Sequence, residues 1–197
     1  MHFLPLILGL FVFLGIHAFT MNRSERARLI RRIGQVRYRI IYSLVSLVGL
    51  ALIIYGYGVY RSSGMVPIWQ PPSWTRHITF LLMLLSFILL ASSHTPSHIR
   101  AFVKHPMITA IILWSGGHLL VRGDLGSILM FGGFLAWGVL ARISMALRTT
   151  GDIQGPPPVA APRWRADLIA FAIGCIVYVT FLFWLHSLLI GVPLVAT

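Results

Sequence analysis

Six apolar runs dominate this sequence. A helix needs about 17–25 residues to cross a bilayer, and all the runs except the third and fourth, which are slightly shorter, have that length. They cover residues 3–21, 40–60, 77–92, 107–121, 125–146 and 168–192. Charged residues make up only 10% of the 197-residue chain, against about 25% in soluble domains. So few charges cannot cover a globule with a solvated surface. We therefore predict an all-α, polytopic membrane helix bundle with about six transmembrane helices, surrounded by lipid.

The 16 basic residues are distributed unevenly among the connections between these runs. The first, third and fifth connections hold seven, two and four of them, whereas the second and fourth together hold three. The positive-inside rule then places both termini outside, which in a bacterial inner membrane is the periplasm. This distribution also accounts for the net charge of +12, so we predict no nucleic-acid partner.

The arginine-rich segment Arg23–Arg39 has the pattern of an amphipathic helix. With Ser24 as its N-cap, three apolar side chains fall on one face among the arginines. We predict an interfacial helix that contacts anionic lipid headgroups. The alternative is a helical extension of the first or second span.

A Gly/Pro-rich stretch at residues 149–163, with three consecutive prolines, predicts a linker. It divides the chain into a five-span membrane domain at residues 1–148 and an additional C-terminal transmembrane helix at residues 164–197.

The residue composition restricts the chemistry. Only four acidic residues are present, which leaves little material for a catalytic carboxylate pair or a calcium cage. Cys175 is the single cysteine, so covalent c-type haem attachment and thiolate clusters are excluded. A bound metal would depend on the eight histidines.

Two histidines, His17 and His118, lie inside predicted spans, where polar side chains are expensive and often functional. A pair of such histidines can hold haem b; the alternative is that each hydrogen-bonds across a helix interface. Counting residues from the span ends, their depths differ by roughly 10 Å. His105, at the cytoplasmic edge of the fourth span, is therefore an alternative partner for His17.

Two further polar sites favour structural interpretations. His94 and His98 have the four-residue spacing of zinc ligands on a helix, but Pro96 between them and the lack of a nearby glutamate favour a solvated loop. Asp124 follows a glycine at the start of the fifth span, which favours a helix N-cap over catalysis.

One set of residues resembles the NnrU family. It comprises Phe13, His17, Lys104, His105, Pro106, Met107, Ala110, Leu113, Trp114, His118, Leu119, Leu120, Gly123, Asp124 and Ser127. The resemblance covers roughly residues 1–145. It implies a bacterial membrane protein linked to denitrification, that is, to nitrite and nitric oxide reduction, near other membrane respiratory components.

The NnrU family is related to 15-cis-ζ-carotene isomerase, a membrane enzyme that holds haem b between two histidines. By position those histidines match His17 and His118, so the resemblance implies haem b binding and a redox factor, an accessory factor or a haem-dependent isomerase relative. The isomerase has R-H-P-Q-M where this chain has K-H-P-M, so carotenoid activity is not carried over.

Two other functions remain open from the sequence. The K-H-P motif followed by an apolar run is similar to small membrane methyltransferases of the isoprenylcysteine type, which use S-adenosylmethionine. Those enzymes need acidic residues after a later span, and here that stretch offers only Asp152. The third possibility is a non-enzymatic membrane scaffold in which the histidines join helices.

Overall fold

In a computed structural model, residues 3–147 and 161–195 are described, and most of them are helical. The helices are α1 (Leu4–Phe19), α2 (Arg23–Ile33), α3 (Gln35–Ser62), α4 (Thr75–Ser92), α5 (His98–Val103), α6 (Pro106–Leu119), α7 (Leu125–Ala146), α8 (Trp164–Thr180) and α9 (His186–Ile190), with a π-helical turn at Phe181–Leu185 joining the last two. Within those ranges there is no strand, only an isolated bridge between Pro67 and Asp124. The predicted all-α class is confirmed.

Within the described ranges, four helical segments are long and apolar enough to cross a membrane: Gln35–Ser62, Thr75–Ser92, Leu125–Ala146 and Trp164–Ile190. Helices α1 and α2 are together also long and apolar enough, although the pair is bent by 90°. Counting this pair as one span gives up to five candidate spans. The remaining predicted span corresponds to α6, which is apolar but has only 14 residues. The chain is therefore a multi-pass membrane protein, roughly consistent with the predicted six spans.

The chain divides into two compact units. Unit 1 comprises Met1–Pro71 and Leu119–Met145, and unit 2 comprises Pro72–His118 and Ala146–Thr197. The C-terminal helix α8 therefore packs within unit 2. Most of the predicted linker at residues 149–163 lies outside the described residues.

Unit 1 is built on close antiparallel packing of α1 and α3 through glycines. A Cβ added at Gly9 would lie 2.6 Å from the backbone nitrogen of Ile53, and one at Gly49 would lie 2.8 Å from that of Phe13. In lipid, where apolar surface gives no hydrophobic gain, such small residues let helix backbones approach and gain van der Waals contact.

Unit 2 contains a second antiparallel pair, α4 and α6. The Thr79 hydroxyl donates to the Gly117 carbonyl and the Ser86 hydroxyl to the Ala110 carbonyl, each at 2.9 Å. Helix α6 therefore runs back along α4 over at least two turns. If α4 crosses the membrane, α6 follows the same path despite its short length.

The connections on either side of these two helices pair with each other within unit 1. The Ile68 amide donates to the Gly123 carbonyl at 2.7 Å, and the Leu125 amide donates to the Val66 carbonyl at 2.9 Å. The chain thus leaves unit 1 before α4 and returns after α6 at the same place. This return supports counting α4 and α6 as two crossings.

Helix α2 is a separate helix rather than an extension of either neighbour. It is bent by 90° from α1 and separated from α3 by Gly34, whose φ of 84° interrupts the helix. The predicted cap at Ser24 is wrong. Asn22 is the N-cap and accepts from the Glu25 amide at 3.2 Å, while Ser24 donates its hydroxyl to the Asn22 side chain.

The glycine packing gives a matched stability test. We expect Gly49→Ala to destabilise the protein by about 1–3 kcal/mol, since the new methyl group meets backbone atoms that cannot move aside. Gly58 lies on the same helix with nothing within 4 Å of its added Cβ, so Gly58→Ala should be neutral or stabilising by up to about 1 kcal/mol. Thermal unfolding in detergent measures both; equal destabilisation would contradict the packing.

The return of the chain gives a topology test. Alkaline phosphatase fused after Gly64 and alkaline phosphatase fused after Gly123 should be either both active or both inactive. A fusion after His94 should behave in the opposite way. We expect activity only at Gly64 and Gly123, since the positive-inside rule places these connections outside. A fusion after Gly123 that behaves like the one after His94 would show that α6 does not cross.

Candidate functional site

His17, near the C-terminal end of α1, is held by its own helix. Its Nδ1 lies 2.6 Å from the Phe13 carbonyl oxygen, four residues earlier. Because a carbonyl can only accept, Nδ1 must be the protonated nitrogen. In the neutral ring the lone pair is then on Nε2, which is the form that binds a metal.

Aromatic rings surround His17 within unit 1. The ring centroids of Phe13, Tyr42 and Trp137 lie 4.3, 5.4 and 5.8 Å from that of His17, with Trp137 edge-on. The indole Nε1 of Trp137 is buried and has no hydrogen-bond partner among the described residues. The half-buried imidazole therefore lies in an apolar, aromatic environment formed by α1, α3 and α7.

His118, at the end of α6, has the same local arrangement. Its Nδ1 lies 2.8 Å from the Trp114 carbonyl oxygen, again four residues earlier, and the Trp114 ring centroid is 5.2 Å away. The same tautomer follows, with Nδ1 protonated. Both intramembrane histidines predicted from the sequence are thus oriented by a backbone carbonyl of the preceding turn.

His105, the alternative partner, directly precedes Pro106 at the start of α6. Its carbonyl accepts from the amide and the hydroxyl of Thr109, at 3.1 and 3.2 Å, and so supports the first turn. His105 and His118 belong to unit 2 and His17 to unit 1. The pairing of His17 with either one stays a prediction from the sequence.

The solvated-loop prediction holds for His94, which is exposed between α4 and α5, but it is wrong for His98. His98 is the first residue of α5, and its Nδ1 lies 2.6 Å from Asp167 Oδ2 on α8, while Asp167 Oδ1 accepts from the Ile99 amide at 3.0 Å. The Trp164 ring lies 4.5 Å from the imidazole. This clamp between α5 and α8 was missed because it joins residues almost 70 positions apart, with no local signal.

Asp124 acts as the predicted helix cap. Its Oδ1 accepts from the Ser127 amide at 2.9 Å at the start of α7, and the Ser127 hydroxyl is 2.7 Å from the Tyr57 hydroxyl. Because Asp124 is only 8% exposed and its carboxylate holds the helix start, its role is structural.

Over residues 3–147 and 161–195, no group of three or more His, Cys, Asp or Glu side chains could hold a metal ion. Asp152, the acidic residue of the methyltransferase alternative, lies outside the described ranges.

The fold is that of a multi-pass α-helical membrane protein. Two of its helices, α1 and α6, each carry a histidine whose ring is oriented by a backbone carbonyl. The chain belongs to the NnrU family, whose model, described as NnrU protein, matches residues 5–194. The match extends beyond residue 145, where the resemblance seen in the sequence motifs ended, and includes the C-terminal helix. Comparison with curated proteins and with solved structures found no match.

The α5–α8 clamp predicts a loss of stability on mutation. We expect Asp167→Asn to lower the melting temperature, because the amide keeps an acceptor for Ile99 but loses the charge that favours the His98 contact. Glu25→Gln is the control, since Glu25 pairs with the exposed Arg28 on α2 and exposed pairs contribute little. Equal melting temperatures for the two variants would contradict the clamp.

Proposed function

We propose that this NnrU family protein binds haem b in the bacterial inner membrane, and that His17 and His118 are the residues that would hold it. His105 is the alternative second ligand. One observation carries the proposal: both intramembrane histidines donate Nδ1–H to the carbonyl four residues earlier. Metal-binding histidines typically have such a second bond, which fixes the ring and raises the basicity of the ligating nitrogen.

The surroundings of His17 fit a haem group chemically. The nearby rings of Phe13, Tyr42 and Trp137 offer flat apolar surface to a macrocycle. The neutral imidazole tautomer matches the ligand form that haem iron requires. Haem b needs no thioether bond, which agrees with a chain whose one cysteine is Cys175.

The roles of the chain's own residues follow from this chemistry. Bound haem b supplies one-electron redox chemistry. The Phe13 and Trp114 carbonyls orient the two imidazoles, and the apolar helices keep water away from them. Such a protein would act as a redox or accessory factor beside the membrane components that reduce nitrite and nitric oxide, the role that family resemblance implies.

The bilayer is the remaining partner in this proposal. Helix α2 lies at 90° to α1 and carries Arg23, Arg26, Arg28, Arg31 and Arg32. A helix across the end of a membrane span, with this charge, is suited to the headgroup layer. We infer that it contacts anionic lipids there.

A visible spectrum tests the haem ligands. Protein expressed with ample haem and purified in detergent should show a Soret band that shifts on reduction. We expect His17→Ala and His118→Ala each to lose most of this band, because a single remaining ligand holds the iron weakly. His77→Ala is the matched control, since His77 is exposed at the start of α4 and should leave the spectrum unchanged.

The ligand assignment has distinct failures. A colourless wild-type protein would refute haem binding. If the Soret band is lost in His105→Ala but retained in His118→Ala, the second ligand is His105 rather than His118, and His17 remains the first. Unaltered bands with lower melting temperatures in both variants would support the scaffold alternative.

A physiological test addresses the denitrification link. In a denitrifying host, deletion of the gene should slow nitrite or nitric oxide reduction, and the wild-type protein should restore the rate. We expect His17→Ala at equal membrane abundance not to restore it, because the haem is proposed to be required. Full restoration of the rate by this variant would show that His17 is not needed for the role in respiration.

A further inference from the structure

A cavity of about 470 Å³ lies in unit 1 where α2 meets α3. Two arginines, Arg26 and Arg39, and two tyrosines, Tyr38 and Tyr42, are among the residues that line it. The other lining side chains are neutral and polar, so no carboxylate is among the described residues of its wall. Its size falls within the range of ordinary ligand sites, roughly 300–1,000 Å³. The charge of the wall selects an anion.

Two donors at this cavity lack acceptors. Tyr38 is only 6% exposed, and its hydroxyl and the Nε of Arg26 are buried with no hydrogen-bond partner in the described part of the chain. The guanidinium carbon of Arg26 lies 5.8 Å from the centre of the Tyr38 ring. Buried polar groups in native proteins are nearly always paired. A ligand rich in acceptors would pair both.

The cavity adjoins the His17 region. Thr20, which also lines the cavity, donates its hydroxyl to the His17 carbonyl at 2.7 Å, and the ring of Tyr42 lies 5.4 Å from the His17 ring. Helix α2, bent by 90° from α1, forms one wall. The cavity therefore lies where an apolar helix ends and an arginine-rich helix begins, a position suited to an amphiphile with one anionic group.

We propose that this cavity binds the phosphate or carboxylate group of a membrane-embedded amphiphile, with Arg26 and Tyr38 as donors and Arg39 as a second positive charge. Two sources share this chemistry: the phosphate of a phospholipid and a propionate of haem. The phospholipid source is independent of the proposed haem binding, whereas the propionate source rests on it. Either source extends the site beyond the two histidines.

Two conservative variants and two matched controls test the site. Tyr38→Phe removes only the hydroxyl, and Arg26→Gln removes the charge. Tyr55→Phe alters an exposed tyrosine on α3, and Arg165→Gln alters an exposed arginine on α8 that has no proposed part in lipid binding. Melting temperatures of all four establish that each variant is folded, and if Tyr38→Phe does not fold, Arg26→Gln still decides the outcome.

Two ligand series separate the sources. In the first, native mass spectrometry follows dioleoylphosphatidylglycerol added to delipidated protein in maltoside detergent. In the second, absorbance titrations compare iron protoporphyrin IX with its dimethyl ester, which has no free carboxylate. We expect Tyr38→Phe and Arg26→Gln each to lower the affinity for the correct ligand about tenfold, which is the effect of losing one hydrogen bond to a charged group.

Each outcome has a stated meaning. If the two variants bind phosphatidylglycerol more weakly but haem as tightly as before, the natural ligand is the phosphate of a phospholipid. If they bind haem more weakly but its dimethyl ester as tightly as before, the natural ligand is a propionate of haem. If both variants bind every ligand as the controls do, the site is refuted. A colourless protein that retains phosphatidylglycerol through Arg26 and Tyr38 contradicts haem binding while supporting the anion site.

Discussion

Close backbone contact between helices at small residues is the constraint on which each unit depends. Lipid already solvates apolar side chains, so helix association relies on van der Waals contact and on hydrogen bonds between helices. Gly9 and Gly49 provide that contact between α1 and α3, and Gly174 on α8 provides it against the backbone of Ile88 on α4. Where hydroxyls replace glycines, as at Thr79 and Ser86, they donate to carbonyls of the facing helix.

The lack of water inside a membrane also explains how the two histidines are hydrogen-bonded. A buried imidazole in a membrane must satisfy its N–H, and the nearest acceptor is the carbonyl of the preceding turn. Both His17 and His118 use it, so a structural requirement of the membrane also produces the tautomer suited to a metal. The anion cavity beside Thr20 is the complementary case, since there the buried donors Arg26 and Tyr38 find no acceptor within the described residues.

Local signals allowed much of this to be predicted. The apolar runs give the helices and the all-α class, and the arginine-rich segment gives α2, because both depend on patterns within one or two helices. The cap at Asp124 follows from its immediate neighbours. The cap of α2 was misassigned because Ser24 and Asn22 are both good capping residues two positions apart, and only the backbone conformation distinguishes them.

The sequence by itself determined the membrane environment, the helical class, the family and the two histidines that lie inside apolar segments. The tertiary structure alone decided which distant residues meet: Asp167 with His98, and the 66–69 connection with Gly123. The reason is physical. Hydropathy and capping act over a few residues, whereas these contacts depend on how helices far apart in the chain pack together.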